Sequence, residues 1–364
     1  MNEQVSPIQL FLLALPVVNA TAVLFVPGLV GTTAGRDGWM APILAPVVVL
    51  ILIAIFRPML RRWPQRTFIE VGREALGPWV GGALGILFAG WCLHTAAVVL
   101  REFGEVLSST MLPLTPLTVI LLLQVVAVAW ISRNGLSALG RCAEIMIPIN
   151  NVFIVIILLL ATRDADFRHL QPVLEHGPGP VLRASIIPVA WFGELVLIAF
   201  LWPRLKQPRK GPVALAYACI WIVLVLSFGS AMAQANFGPV VPRLSLPTLV
   251  VARMISIGDF LERIEPLLII VWVADNFVKL SVFHYVTCET IRQSLNLGRA
   301  SVLAFPAAAL MLVLAVAMFE HVTQMSDWLA HVLPLYAPFV EVGVPLICIG
   351  AGLLVGDRRS LGSR

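Results

Sequence analysis

Apolar residues in this chain do not alternate, and they do not recur on one helical face; they run on in long blocks. Windows at roughly 8–34, 39–57, 79–107, 116–134, 140–161, 181–202, 212–235, 264–290, 299–319 and 333–356 are each long enough for a helix to cross a hydrocarbon core, which takes about 20 residues. The pattern predicts an all-α polytopic membrane protein of about ten transmembrane helices. The polar connections reach roughly 20 residues at most, too short for a soluble domain. One transmembrane domain is therefore expected over 1–364. Two connections have amphipathic character, 66–76 (RTFIEVGREAL) and 246–262 (LPTLVVARMISIGDFLE), and read as surface helices. The second is expected to lie along the outer membrane face.

Spans one and six share a feature. Both are interrupted near mid-membrane, span one at Asn19–Ala22 between Pro16 and Pro27, span six at Trp191–Glu194. Each opens a set of five. Paired broken helices are the mark of inverted-repeat folds, where unwound backbone supplies free N–H and C=O groups to a ligand. The expectation is a five-plus-five repeat, 8–161 and 181–356, with helices one and six broken.

Composition agrees. The chain is 59% hydrophobic and 12% charged, with mean hydropathy +0.93, against about 25% charged residues in soluble domains. The net charge of +5 does not suggest nucleic acid, because the basic residues sit in short clusters between spans. With the N-terminus in the cytoplasm, inside loops hold 16 Lys and Arg against 8 outside, with Lys279 left within a span. The runs RPMLRRWPQR and RLKQPRK are dense and short, so both termini are assigned to the cytoplasm. The N-terminal MNEQVSP leads straight into span one without a cleavable signal pattern. Cys92, Cys142, Cys219, Cys288 and Cys348 form no CxxC pair and read as small buried hydrophobes.

Candidate chemistry is confined to polar groups inside the spans. Glu194 lies near the centre of span six beside Trp191, Phe192 and Gly193. A carboxylate there costs at least ~2.5–3.5 kcal/mol, so it reads as a cavity group or an inter-helix bridge. Asp275 and Lys279 are four residues apart in span eight and form either a self-neutralising pair or, with Lys279 turned away, a contact to Glu194 or a ligand. Asn19, Ala20, Thr21 and Ala22 form the expected opening of span one, and His94 with Thr95 sits mid-membrane in span three. His94 is kept as a candidate ligand contact, although a lone histidine there, like Glu144, Asn150 and Asn151, more often bonds helix to helix. The outer-face Glu175, His176, Glu320, His321 and Asp327 lack metal-ligand spacing. No phosphate-binding loop, HExxH, GxSxG or zinc pattern occurs, so neither catalysis nor a cofactor is expected. Gly77, Gly81, Gly82 and Gly85 give a small-residue stripe suited to close helix packing.

Four ordered stretches carry a family likeness: Asp37–Trp39 (DGW), 170–181 (LQPVLEHGPGPV), span six followed by PRLKQP, and 261–277 (LERIEPLLIIVWVADNF). Together they resemble the B subunits of bacterial spore germinant receptors, in the amino acid–polyamine–organocation transporter superfamily. The resemblance implies a nutrient-binding subunit that takes a small molecule, most simply an amino acid, in a central cavity of the spore inner membrane and signals to partner A and C subunits. A proton-coupled amino-acid transporter of the same fold is the rival. Where the superfamily commonly has a glycine-containing break in helix one, this chain has Ala20–Thr21–Ala22, so the opening there is expected to be narrower.

Overall fold

The computed structural model describes residues 4–257, 261–262 and 264–361, and most of them are helical. Eight stretches are long and apolar enough to cross a membrane. The first, Pro7–Arg62, has 56 residues and as one helix would measure roughly 84 Å, far beyond the hydrocarbon core of about 30 Å. It turns at Gly35, whose φ of +55° suits glycine, and Gly38 packs back against Val30 and Gly31. That stretch is two crossings. With the shorter apolar helix Leu117–Arg133, the described residues make ten.

The ten are α1 Pro7–Ala34, α2 Pro46–Arg62, α3 Phe68–Thr110, α4 Leu117–Arg133, α5 Leu136–Leu160, α6 (the consecutive pieces Gly179–Ala184, Ile186–Gly193 and Val196–Phe200), α7 Gly211–Phe237, α8 Glu265–Leu295, α9 Ala304–Ala317 and α10 Val344–Leu361. Local chemistry sets several of their ends. Ser6 and Gln9 form a capping box at the start of α1, with Pro7 in the first turn. Thr67 and Glu70 do the same for α3. Within α3, Gly77 at φ +84° breaks the helix just before Pro78. This separates the amphipathic 68–76 segment from the crossing itself. Asn296, in the left-handed conformation, ends α8.

α8 is the hub. It packs most extensively on α3 and also touches α1, α4, α5 and α9. The glycine stripe accounts for the closest approach. A Cβ at Gly85 would collide with the Ser294 hydroxyl, and one at Gly82 would crowd the Ser294 carbonyl. In lipid, where association has little hydrophobic drive, such close backbone contact is a main source of helix affinity. Phe56, Phe68, Phe88, Phe200 and Trp202 meet edge to face or stacked and hold the end of α6 against α2 and α3.

Two expectations are corrected. First, α1 runs unbroken from Pro7 to Ala34, so the opening at Asn19–Ala22 does not form. Ala20–Thr21–Ala22 contains no residue that favours unwinding, and the two prolines are accommodated within the helix. Pro27 cannot donate to the Val23 carbonyl, and the Thr248 hydroxyl takes that role at 2.6 Å. Thr21, one of the polar side chains that suggested a break, faces α6 and α8 instead. In α6 the expected interruption is present, with Glu194 and Leu195 forming a turn between Ile186–Gly193 and Val196–Phe200.

Second, 246–262 is not one surface helix. It forms the short helix Pro247–Met254 and then a two-residue antiparallel pair, Ser256 opposite Glu262 and Ile257 opposite Leu261. Thr248, Leu249, Val251, Ala252 and Ile255 are buried, because this segment is drawn inward to satisfy α1 rather than laid on the membrane. Asp259, Arg263 and Arg364, which entered the charge pattern, lie outside the described residues.

Two outcomes test this architecture. Thr248→Val leaves the Val23 carbonyl buried and unpaired, at a cost of about 1–3 kcal/mol; the thermal midpoint of the detergent-purified protein falls, while Thr248→Ser keeps it. Gly193→Ala drives a methyl group into the Glu341 carboxylate, an overpacking cost of about 1–3 kcal/mol. Membrane abundance drops for Gly193→Ala and recovers in Gly193→Ala/Glu341→Ser. Normal abundance of the single variant would mean that the two groups are not in tight contact.

Candidate ligand site

The break in α6 places Glu194 on the inside of the bundle, against the middle of α8. Lys279 Nζ donates to Glu194 Oε2 at 2.8 Å and to Thr21 Oγ1 at 2.8 Å. Trp191 Nε1 donates to the same Thr21 hydroxyl at 2.9 Å. The Lys279 ammonium also sits 5.8 Å from the Phe283 ring centre. All of these side chains are buried, and Lys279 has no exposure at all. One lysine thus ties α1, α6 and α8 together at their centres. Asn276, on the same helix as Lys279, reinforces the α1 contact by donating to the Ala20 carbonyl at 3.1 Å.

Two further carboxylates surround this group. Glu102 on α3 and Glu341, in the π-helical turn Phe339–Gly343 before α10, are fully buried and within electrostatic reach of both Lys279 and Glu194. Both oxygens of Glu341 and one of Glu102 have no hydrogen-bond partner among the described residues. Glu341 reaches the α6 break because Gly193 has no side chain. Neither residue was singled out from the sequence. In the sequence Glu102 stands beside Arg101 and three residues before Glu105. Arg101 instead pairs with Glu105 at 2.7 Å and donates to the carbonyls of Ala315 and Val316, which leaves Glu102 turned inward. Glu341 did carry a signal, the same one as Glu194: a lone carboxylate within an apolar span.

The remaining candidates sort differently. Asp275 does not pair with Lys279 despite their spacing; its carboxylate accepts from Asn150 on α5 at 2.8 Å. Four residues of helix put the two side chains on neighbouring positions, but each finds a stronger partner on a different helix. His94 Nδ1 meets the Tyr336 hydroxyl at 2.8 Å and its ring lies against Trp328, so its polar contact is to another helix. Glu144 accepts from Gln9 and Asn151 from Trp221, both inter-helical. Ala22 and Phe192 are buried in the packed core beside the cluster, and Asn19 keeps a buried side-chain oxygen without a partner. Among the described residues no cluster of metal-ligating side chains occurs.

Access to the cluster differs at the two ends. At the end bearing the N-terminus, Val5 exchanges backbone hydrogen bonds with Arg204 and Lys206 at 3.1 and 3.0 Å, and Arg204 pairs with Glu289 at 2.8 Å. That end is shut. At the other end a cavity of about 850 Å³ opens between α1, α6 and the helix Val322–His331, lined by Phe25, Ile187, Asp327 and Pro334 among others. Phe25 and Ile187 stand one helical turn from Thr21 and Trp191, which separate the cavity from Lys279. The stretches DGW and 170–181 meet at this end too. Arg36 donates to the Gln171 carbonyl and pairs with Glu175 at 3.4 Å, and Asp37 accepts from the Leu174 N–H at 3.1 Å.

Comparison with known proteins places this arrangement. Residues 4–322 match the spore germination protein family. Spore germination protein KB of Bacillus subtilis (strain 168) is 25% identical over 343 residues, covering 92% of this chain and 90% of that protein. Spore germination protein A2 of the same organism is 24% identical, covering 72% of each. A solved structure of a Na⁺-coupled sialic acid symporter, in a substrate-bound outward-open state, superposes with a TM-score of 0.67 over 97% of this chain and 91% of that one, at 10% identity. The ten crossings, with their broken sixth helix, therefore share a transporter's fold. By sequence, and over most of its length, the chain belongs to the spore germination protein family.

Proposed function

We propose that this protein is the nutrient-binding subunit of a spore germinant receptor, with the Thr21–Trp191–Glu194–Lys279 cluster as its ligand site. The observation that carries the reading is the buried Lys279–Glu194 ion pair at the α6 break, one turn below an open cavity. A zwitterion suits such a site. An amino acid slipped between the two groups offers its carboxylate to Lys279 and its ammonium to Glu194, replacing one ion pair by two without changing the net charge of the interior. Glu102 and Glu341, with oxygens still free to accept, add reason for the ligand to carry an amine. Asn19, the Ala20 carbonyl, Ala22, Phe192 and Gly193 form the walls beside this point. His94 and Asp275 act one layer out, through Tyr336 and Asn150.

Signalling follows from the same geometry. The ligand must part Glu194 from Lys279, and so moves the α6 break relative to α8. Its differential affinity for the parted state sets how far the equilibrium shifts. The moving pieces end at Arg204 and Glu289, where partner A and C subunits would feel the change. In this reading the two halves, 8–161 and 181–356, act as the five-plus-five repeat, both termini face the cytoplasm, and the membrane is the spore inner membrane. The symporter-like fold keeps one alternative in view, a proton-coupled amino-acid transporter.

The test uses a neutral double variant. Removing one member of a buried ion pair costs about 3–5 kcal/mol, because the other is left uncompensated. Glu194→Gln alone and Lys279→Gln alone therefore accumulate poorly. Glu194→Gln/Lys279→Gln restores abundance. For the purified chain, titration with a panel of amino acids raises the thermal midpoint of the wild type and not of the double variant. A double variant that regains both abundance and the ligand-induced shift would make the pair a structural lock only.

A second measurement separates receptor from transporter. Proteoliposomes holding the wild-type chain take up no more radiolabelled amino acid than empty vesicles. Uptake above that background, abolished by the double variant, would replace the receptor reading by the transporter.

A further inference from the structure

At the shut end of the molecule, away from the ion-pair cluster, α4, α8 and the start of α9 enclose a second cavity of about 670 Å³. Its walls carry Arg133, Arg204, Arg292 and Arg299, together with Tyr285 and Ser301. A single carboxylate, Glu289, faces these four guanidinium groups. Its oxygens are already taken by Arg204 at 2.8 Å, Arg292 at 2.7 and 2.9 Å, and Gln293 at 3.0 Å. Arg133 lies over the Phe305 ring at 5.8 Å. Neither it nor Arg299 has a carboxylate within ion-pair distance among the described residues.

Backbone geometry adds to the imbalance. Ala300 and Ser301 open the helical run Ala300–Ala317, and its N-cap, Arg299, is extended with no side-chain cap. The first N–H groups of this helix are therefore left without a side-chain acceptor beside the same cavity, where the helix dipole favours an anion. Arginine forks, a hydroxyl and an uncapped helix start are the donor set that suits tetrahedral oxyanions.

We infer that this cavity binds a phosphate group, held between Arg133, Arg299 and the first turn of the helical run Ala300–Ala317. Both a soluble phosphate and the headgroup of an anionic lipid present that chemistry. The cavity is independent of the proposed ligand site and stands whether or not that reading holds. Filling it would neutralise the two unpaired guanidinium groups and join α4 to α9 beside the Arg204–Glu289 contact that closes this end.

The experiment uses the purified full chain in zwitterionic detergent. Inorganic phosphate is titrated against chloride and succinate at matched ionic strength, with the thermal midpoint as readout. Phosphate raises the midpoint of the wild type where chloride and succinate do not. In Arg133→Gln/Arg299→Gln the apparent affinity for phosphate falls about tenfold, as for losing ~1.4 kcal/mol of charge-assisted hydrogen bonding. Both positions are exposed, so the double variant folds. Arg57→Gln, an exposed arginine elsewhere, leaves the phosphate response intact. The same comparison in nanodiscs of phosphatidylcholine, with and without phosphatidylglycerol, assigns the source. If phosphatidylglycerol stabilises the wild type and abolishes the phosphate response, the occupant is a lipid headgroup; if the response persists, it is soluble. Phosphate no better than chloride or succinate, together with no effect of phosphatidylglycerol, would overturn the site. So would an equal loss of response in Arg57→Gln.

Discussion

The interior of this protein is organised around one ammonium group. Lys279 is wholly enclosed and reaches Glu194 on the broken sixth helix and Thr21 on the first. A lysine at such depth is stable only while its charge is answered, so the three helices that supply the answer must stay together. This explains why the polar groups of α1 and α6 point toward α8. It also accounts for α1, α6 and α8 each being buried along most of their length. The close glycine contacts of α3 with α8 hold that arrangement from the opposite side.

In the proposed reading, the same constraint makes the centre responsive. A buried ion pair contributes little net stability, since the desolvation of both charges offsets most of their attraction, yet losing either partner is expensive. Such a pair is a poor glue and a good switch. It tolerates exchange for another neutral arrangement of charges and nothing else. In the proposed reading, the turn at Glu194–Leu195 and the cavity above Trp191 are where such an exchange would act.

Much of this was legible in the sequence, for reasons that are physical. Span count follows from the length of the apolar blocks, which lipid dictates directly. Glu194 and Lys279 stood out because charge inside an apolar run is rare and costly. The break in α6 was legible from Gly193 and Glu194. The break in α1 was over-read. Proline and polar residues within a span indicate only that freed backbone groups need partners, and the partner of the Val23 carbonyl, Thr248, lies 225 residues away. The helix at Pro247–Met254 was misplaced for the same reason: its amphipathic pattern fitted a membrane surface as well as the flank of α1.

Glu102 and Glu341 show where local reading runs out. The charge pattern of a helix is judged against its neighbours in sequence, and Glu102 has Arg101 beside it and Glu105 within a turn. In the fold, Arg101 swings to the carbonyls that end α9, and successive residues on a helix point about 100° apart. Arg101 and Glu102, adjacent in sequence, thereby lie in two environments. Glu341 needed a different inference: an isolated acid in an apolar span needs a counter-charge, and Lys279 had already been allotted to Glu194 or Asp275. Three acids share the surroundings of one lysine, and two of them keep oxygens without a donor. That shortfall of donors cannot be read from any single span. It emerges only when α3, α6, α8 and the turn before α10 are brought together, and it is the reason to look for a ligand that carries an amine.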